Sequence, residues 1–234
     1  MELDASNDKG IFTALKSLVF PRICLYCQSE FASLCENCQQ LWLAPVQQRY
    51  VYDLAVNSTL TYNAGSSRVV IQAKENRNRV AQYLMASALN TALEKFESDS
   101  PELSISRCLL VPIPASRSAI RRRGGSFLHP ILDQLVAIQD KKNGLRWRWK
   151  ELLVHHKPVR DQSQLSYDQR QSNMSDAFRH IGDELTEARP IFLIDDVLTT
   201  GATLYSAFRA LREINLTVLG AATACASAHR LLIR

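Results

Sequence analysis

The sequence predicts an α/β protein built on an open, mostly parallel sheet, with a small four-cysteine module at its N-terminal end. Three observations carry that expectation. From Leu54 to Cys225, short apolar runs suited to strands alternate with stretches of helical periodicity, the pattern that builds parallel sheets with crossover helices. The run Ile191-Phe192-Leu193-Ile194 is continuously apolar, as a central strand covered on both faces must be. Four of the six cysteines stand together as two Cys-x-x-Cys pairs, ahead of the alternating region.

With 234 residues, 46% of them hydrophobic and 22% charged, the chain can bury one full core and carry a satellite. The expected division is 1–48 for an N-terminal helix and the cysteine module, and 49–234 for the main domain. A formal charge of +5 favours anionic ligands, phosphates or nucleic acid, without choosing between them. Clustered cysteine pairs suit a metal site in a reducing compartment better than a disulfide framework, which points to the cytoplasm. The start Met1-Glu2-Leu3-Asp4 is acidic, and the apolar stretch Ile11 to Phe20 contains Lys16 and is too short to cross a bilayer. Neither a signal peptide nor membrane insertion is expected.

Ile11 to Phe20 reads as a short amphipathic helix ending before Pro21. Leu41-Trp42-Leu43-Ala44 supplies apolar residues to pack the module onto the rest. Leu54 to Leu60 suits a strand, and Val69 to Leu93 a helix interrupted by the polar run Lys74 to Arg79. Cys108 to Val111 is a buried-strand run, followed by a Pro112-Ile113-Pro114 turn, a basic loop, and a helix over Phe127 to Ile138. Trp147 and Trp149 alternate with Arg146, Arg148 and Lys150; the pattern fits a half-buried strand with a basic outer face better than a base-stacking surface. Leu152 to Val154 is a short strand candidate, and Lys157 to Asn173 a polar loop. His155, His156 and His180 are read as polar-loop residues without partner spacing for a base. Ala202 to Ile214 is a helix, and Leu216 to Cys225 the last strand.

The sharpest signal is Asp195-Asp196-Val197-Leu198-Thr199-Thr200-Gly201-Ala202-Thr203, directly after the apolar strand. The strand delivers both carboxylates to its carboxyl end, where ligands bind in open α/β sheets. Adjacent carboxylates repel, and their pairing makes sense if they accept hydrogen bonds from a ribose diol close to a bound cation. Hydroxyls and N–H groups of Thr199 to Thr203 at a helix start suit a phosphate dianion, and Gly201 permits close backbone approach. An ordinary capped turn is the plain alternative, but a cap needs one polar residue and not this ordered set.

Arg117, followed by Arg121-Arg122-Arg123, places cations past a strand, where guanidinium groups can take a second anion such as pyrophosphate bidentately. A solvated basic turn or a nucleic-acid patch is the alternative. Cys24, Cys27, Cys35 and Cys38 can close a tetrahedral four-thiolate zinc site with no open position, hence a structural one. An iron–sulfur cluster or a redox pair is the less favoured use. Cys108 and Cys225 lie in strand runs and are read as buried and inert.

The Asp195 to Thr203 segment resembles the phosphoribosyl-pyrophosphate (PRPP) signature of type I phosphoribosyltransferases. That resemblance implies that Asp195 and Asp196 hold the ribose hydroxyls, that Thr199, Thr200, Gly201, Ala202 and Thr203 hold the 5-phosphate, and that Mg2+ accompanies PRPP. Val111-Pro112-Ile113-Pro114 with the arginines, then Gln162, Arg170, Asn173 and Ala177-Phe178, then Asp195-Asp196, behind a cysteine module, resemble the ComF/GntX family of competence-associated proteins. Where that family has Arg-Gly-Phe-Asn-Gln, this sequence reads Arg123-Gly124-Gly125-Ser126-Phe127. Lys74 stands where many of its members carry a lysine able to reach a phosphate.

Two functions follow from the resemblance. One is a phosphoribosyltransferase in which Mg2+ and the arginines draw away pyrophosphate, with the 157–173 loop closing over the site. The other is a non-catalytic accessory protein that senses PRPP or binds single-stranded DNA in natural transformation, with DNA-uptake proteins as partners.

Overall fold

The computed structural model describes residues 23–30, 34–42, 45–100, 108–143, 147–155, 177–181 and 189–228. The expected helix over Ile11 to Phe20, the whole 157–173 loop with Gln162, Arg170 and Asn173, and Leu43, Ala44, Arg146 and His156 lie outside them.

The main sheet has six strands in the order β1-β2-β8-β7-β3-β4. These are β1 (Gln47–Val51), β2 (Leu54–Tyr62), β3 (Leu109–Pro112), β4 (Arg148–Trp149), β7 (Ile191–Leu198) and β8 (Val218–Ser227). All pairings are parallel except β1 with β2, so the mostly parallel α/β architecture is as the sequence predicts. β1 is an addition to that expectation. Its Gln47-Gln48-Arg49-Tyr50-Val51 is too polar to announce a strand, as befits an edge. It reverses into β2 through Tyr52 and Asp53, with Tyr52 at φ 54°, a turn that lacks the usual Asn-Gly signal.

Helices cover both faces. On one lie α2 (Ala64–Lys74), α3 (Arg79–Asp99) and α5 (Leu128–Asn143), packed with Phe192, Ile194 and Ala222 of the sheet. The polar run does split the predicted helix: Asn63 caps α2 and Asn78 caps α3 through their side chains, each side-chain oxygen taking up first-turn amides. α3 is also gripped from below, because buried Asn57 and Thr59 of β2 donate to the carbonyls of Ala92 (3.1 Å) and Ala88 (2.7 Å). On the other face, α6 (Ala202–Arg212) packs with β5 (Leu153–His155) and β6 (Phe178–His180) over Val111, Ile191 and Leu193.

β5 and β6 form a separate antiparallel pair. His155 and His180 therefore stand on strands, which corrects the polar-loop reading. His155 Nε2 donates to the Pro114 carbonyl at 2.9 Å and its ring lies against Phe178. The basic loop is likewise a helix, α4 (Arg117–Arg123), capped by Ser116 and ended by Gly124 at φ 70°. A left-handed glycine is the common helix terminator. Among the described residues no helix is long and apolar enough to cross a membrane.

The seat of α3 depends on one small residue. A Cβ on Gly220 of β8 would stand 2.7 Å from Cζ of Phe96 and 3.1 Å from the Ala55 carbonyl oxygen, and Phe96 is held in turn against Phe192 with centroids 4.9 Å apart. Gly220→Ala is expected to cost about 1–3 kcal/mol by overpacking. Urea unfolding of Gly220→Ala, Phe96→Leu and the double variant checks it: the double should cost less than the sum of the singles.

Candidate functional site

β7 outruns its neighbour. β3 pairs with it only as far as Ile194, opposite Pro112, while β8 follows it to Leu198. Beyond Ile194 one flank of β7 is open, and the chain leaving β3 runs to α4 and α5 while the chain leaving β7 runs to α6 on the opposite face. Diverging exits of this kind make the crevice in which open α/β sheets bind ligands.

Asp195 and Asp196 lie at that crevice. Burial, the adjacent Asp196 charge and a side-chain contact with Asp196 push the Asp195 carboxyl well above the usual carboxylate range, with Lys74 opposing. Asp195 Oδ1 also accepts the Asp196 amide at 2.8 Å. Lys74, the last residue of α2, reaches across to Asp196 Oδ2 at 2.9 Å. Its Nζ lies 4.6 Å from the centroid of Phe127, whose ring also takes the Arg123 guanidinium at 5.3 Å. Two cations far apart in sequence, Lys74 and Arg123, thus meet over one aromatic ring.

The turn after β7 has the expected form. Gly201 sits at φ 82° and has no side chain to cap α6; the Thr200 hydroxyl accepts the Ala202 amide at 3.4 Å, and the rest of the first turn is open to another acceptor. Thr199, Thr200 and Thr203 are exposed. The glycine is required by the fold: a Cβ at Gly201 would meet Val51 Cγ2 at 2.5 Å. The β1–β2 turn lies under this loop, and its Tyr52 ring sits 4.2 Å from Tyr205 of α6.

The arginines are divided. Arg117 is exposed and makes no ion pair among the described residues. Arg123 is turned inward, its side chain 8% exposed, with Nη1 3.1 Å from Glu75 and a buried Nε lacking a partner among the described residues. Arg122 pairs with the same Glu75 oxygen at 3.2 Å. Glu75 and Phe127 are the participants that sequence reasoning missed; both lie beside residues it named, with no motif of their own.

The four module cysteines are all free, and their sulfurs lie within 4.8 Å of one another. Cys27 and Cys35 sulfurs are 3.6 Å apart, near the separation of about 3.8 Å that a tetrahedral Zn–S4 centre requires. The donor set fits zinc. The first pair sits in a tight turn in which Gln28 donates to the Cys24 carbonyl at 2.9 Å, and Cys38 lies in α1 (Glu36–Trp42). The Ser29 hydroxyl lowers the Cys27 thiol to about 6, while burial raises Cys38. Burial also pushes Cys108 up to about 11 and Cys225 up to about 12, which keeps both as inert thiols.

No protein-family model matches the sequence, and no curated protein does. Among solved structures, the chain is similar to an adenine phosphoribosyltransferase at 13% identity, over 82% of this chain and 90% of that one, with a TM-score of 0.39. It is similar to adenine phosphoribosyltransferase from Saccharomyces cerevisiae, complexed with an imino-altritol bisphosphate and adenine, at 12% identity over 80% and 86%, TM-score 0.37. A third is orotate phosphoribosyltransferase of Francisella tularensis, 10% identical over 81% and 82%, TM-score 0.36.

Two outcomes follow from the geometry. Because the Asp195 pKa is raised in the fold, the native state keeps this proton to higher pH than the unfolded chain, and stability falls as pH rises from the unfolded value of about 3.9. Asp195→Asn keeps the oxygen that accepts the Asp196 amide and removes the charge. Its thermal midpoint should exceed the wild type at pH 7.5, by about 2–4 °C for each kcal/mol relieved, and the gap should close on acidification. Gly201→Ala should lose about 1–3 kcal/mol, only partly recovered by Val51→Ala, which removes the clash and leaves the positive φ.

Proposed function

We propose that the chain is a PRPP-binding, phosphoribosyltransferase-like protein of the ComF type, with a PRPP domain over 49–234 and a structural zinc module within 1–48. The observation that carries this reading is the Lys74–Asp196 contact at 2.9 Å, immediately ahead of the helix start at Gly201. It puts a diol acceptor and a cation together at the carboxyl end of an interior strand, next to the turn that would cradle the phosphate.

In this reading Asp195 and Asp196 accept the ribose hydroxyls. The hydroxyls and amides of Thr199, Thr200, Gly201, Ala202 and Thr203 hold the 5-phosphate. Bound Mg2+ supplies charge neutralisation to the pyrophosphate and ribose oxygens. Arg117 is accessible to the pyrophosphate end, whereas Arg123 meets it only by exchanging Glu75 for it. Lys74, held over Phe127, lies between the acidic pair and the arginines and stabilises negative charge on either side. Cys24, Cys27, Cys35 and Cys38 hold zinc, a closed four-sulfur site with no part in the chemistry. The protein would work in the cytoplasm, in DNA uptake or nucleotide metabolism.

Calorimetric titration of zinc-replete protein with Mg2+ and PRPP tests the ligand. The wild type should bind with micromolar Kd, and the double variant Asp195→Asn/Asp196→Asn should lose about a hundredfold or more, about 2.7 kcal/mol. A wild type that does not bind would sink the reading. Pyrophosphate release with PRPP and a panel of acceptor bases then separates a transferase from a protein that only senses PRPP: release marks the enzyme, binding without release the sensor.

A further inference from the structure

The crevice makes no direct use of the four-cysteine module, yet one helix joins the two. Tyr26 lies inside the first Cys-x-x-Cys turn, between ligands Cys24 and Cys27. Its ring occupies the space above Gly65, where a Cβ would come within 2.4 Å of it. Its hydroxyl donates to Asn63 Oδ1 at 3.0 Å, and Asn63 is the N-cap of α2. Its carbonyl accepts Arg68 Nε at 3.1 Å. Tyr26 also meets Trp42 edge to face at 6.1 Å, and Trp42 donates to the Leu84 carbonyl of α3 at 2.8 Å. The module is therefore clamped on the first turns of α2. The far end of the same helix carries Lys74, on Asp196, and is followed by Glu75, on Arg122 and Arg123. The 11 residues between make a rod of about 16 Å.

We propose that Tyr26 is a positioning residue through which the cysteine module sets the place of Lys74 and Glu75, so that metal occupancy of the module tunes the affinity of the crevice for Mg2+ and PRPP. The proposal takes its ligand from the function proposed above. Two features favour positioning over mere stability. Asn63 Oδ1 keeps the amides of Gly65 and Ser66 when Tyr26 is removed, so α2 remains capped and folded. Val69, Val70 and Ala73 remain buried, so the helix stays on the core but loses what fixes its axial position. Because the ligands flank Tyr26 by two residues and one, metal release loosens the turn that carries its ring, hydroxyl and carbonyl contacts with α2.

The test uses the full chain with its zinc content measured. Tyr26→Ala should weaken Mg2+·PRPP binding about tenfold, Tyr26→Phe much less because the ring stays on Gly65, and chelation of the wild-type zinc should reproduce the Tyr26→Ala loss. In a Lys74→Met/Glu75→Gln background Tyr26→Ala should change affinity less than about twofold, since both residues being positioned are gone. Equal losses in both backgrounds, or no loss, would overturn the proposal. A second readout needs no ligand: amide hydrogen exchange at Lys74 and Glu75, whose Glu75 amide donates to the Ile71 carbonyl at 2.8 Å. It should quicken in Tyr26→Ala, and in Gly65→Ala, which displaces the ring while leaving the module sequence intact. If the wild type fails to bind Mg2+·PRPP, the crevice reading falls, and exchange alone decides the coupling: unchanged rates in both variants overturn it.

Discussion

Two neighbouring carboxylates at the end of a buried strand are the constraint around which this molecule is arranged. Like charges about 4 Å apart repel by roughly 4 kcal/mol at an effective dielectric of 20, and no fold gains from placing them there unless something else answers the charge. Here the answer in the ligand-free state is partial. Asp195 is pushed towards its protonated form by burial and by Asp196, and Asp196 is met by Lys74. That single ion pair requires α2 to run to the strand end from its start after β2, and it requires Phe127, at the head of α5, to carry the lysine on its ring. The helices on this face are thus placed by the acidic pair as well as by the apolar core.

What could be read from the sequence were the parts whose work is local. β7 and the turn into α6 are contiguous, so an apolar run, two acids and a Thr-Gly cluster display their tasks in one stretch of chain. The cysteine pairs are equally compact, and the thiols indeed meet. The parts that stayed hidden depend on distant partners. β1 is polar because it is an edge, and it earns its place by packing Val51 against Gly201, about 150 residues away in sequence. β6 is three residues long and is a strand only through β5, the partner whose apolar run at Leu152 to Val154 was legible. The arginine segment looked like a loop because its cations dominate; its Ser116 cap and Gly124 terminator were signals of a short helix.

The glycines show how the same signal can have a different cause. Sequence reasoning assigns Gly201 to close approach of a phosphate, and its backbone does adopt the left-handed conformation. Yet the direction its side chain would take is filled by Val51. The hairpin turn, with Tyr52 itself at positive φ and its ring packed at a tilt against Tyr205, forms a floor beneath the loop. A phosphate cradle made of backbone amides needs such a floor, because amides placed by a mobile loop lose in ordering entropy what they gain in hydrogen bonds.

Three cations of the crevice, Lys74, Arg122 and Arg123, are internally answered, and that shapes what a ligand can gain. Glu75 holds Arg122 and Arg123, Asp196 holds Lys74, and Arg117 and Arg121 are the cations of the basic segment without an ion pair among the described residues. In the proposed function an incoming pyrophosphate would therefore exchange partners more than it would create new ones. Net affinity in such an exchange is the difference between two sets of ion pairs, far smaller than the sum of contacts in the bound state. The buried Arg123 Nε, with no partner among the described residues, is the exception: a buried donor left unpaired carries a desolvation cost that any acceptor reaching it removes. Affinity should then reside less in the number of arginines near the crevice than in how far Arg123 can turn from Glu75, and Glu75 follows directly on α2. The placement of one helix end consequently governs both halves of the site, the acidic pair through Lys74 and the basic segment through Glu75.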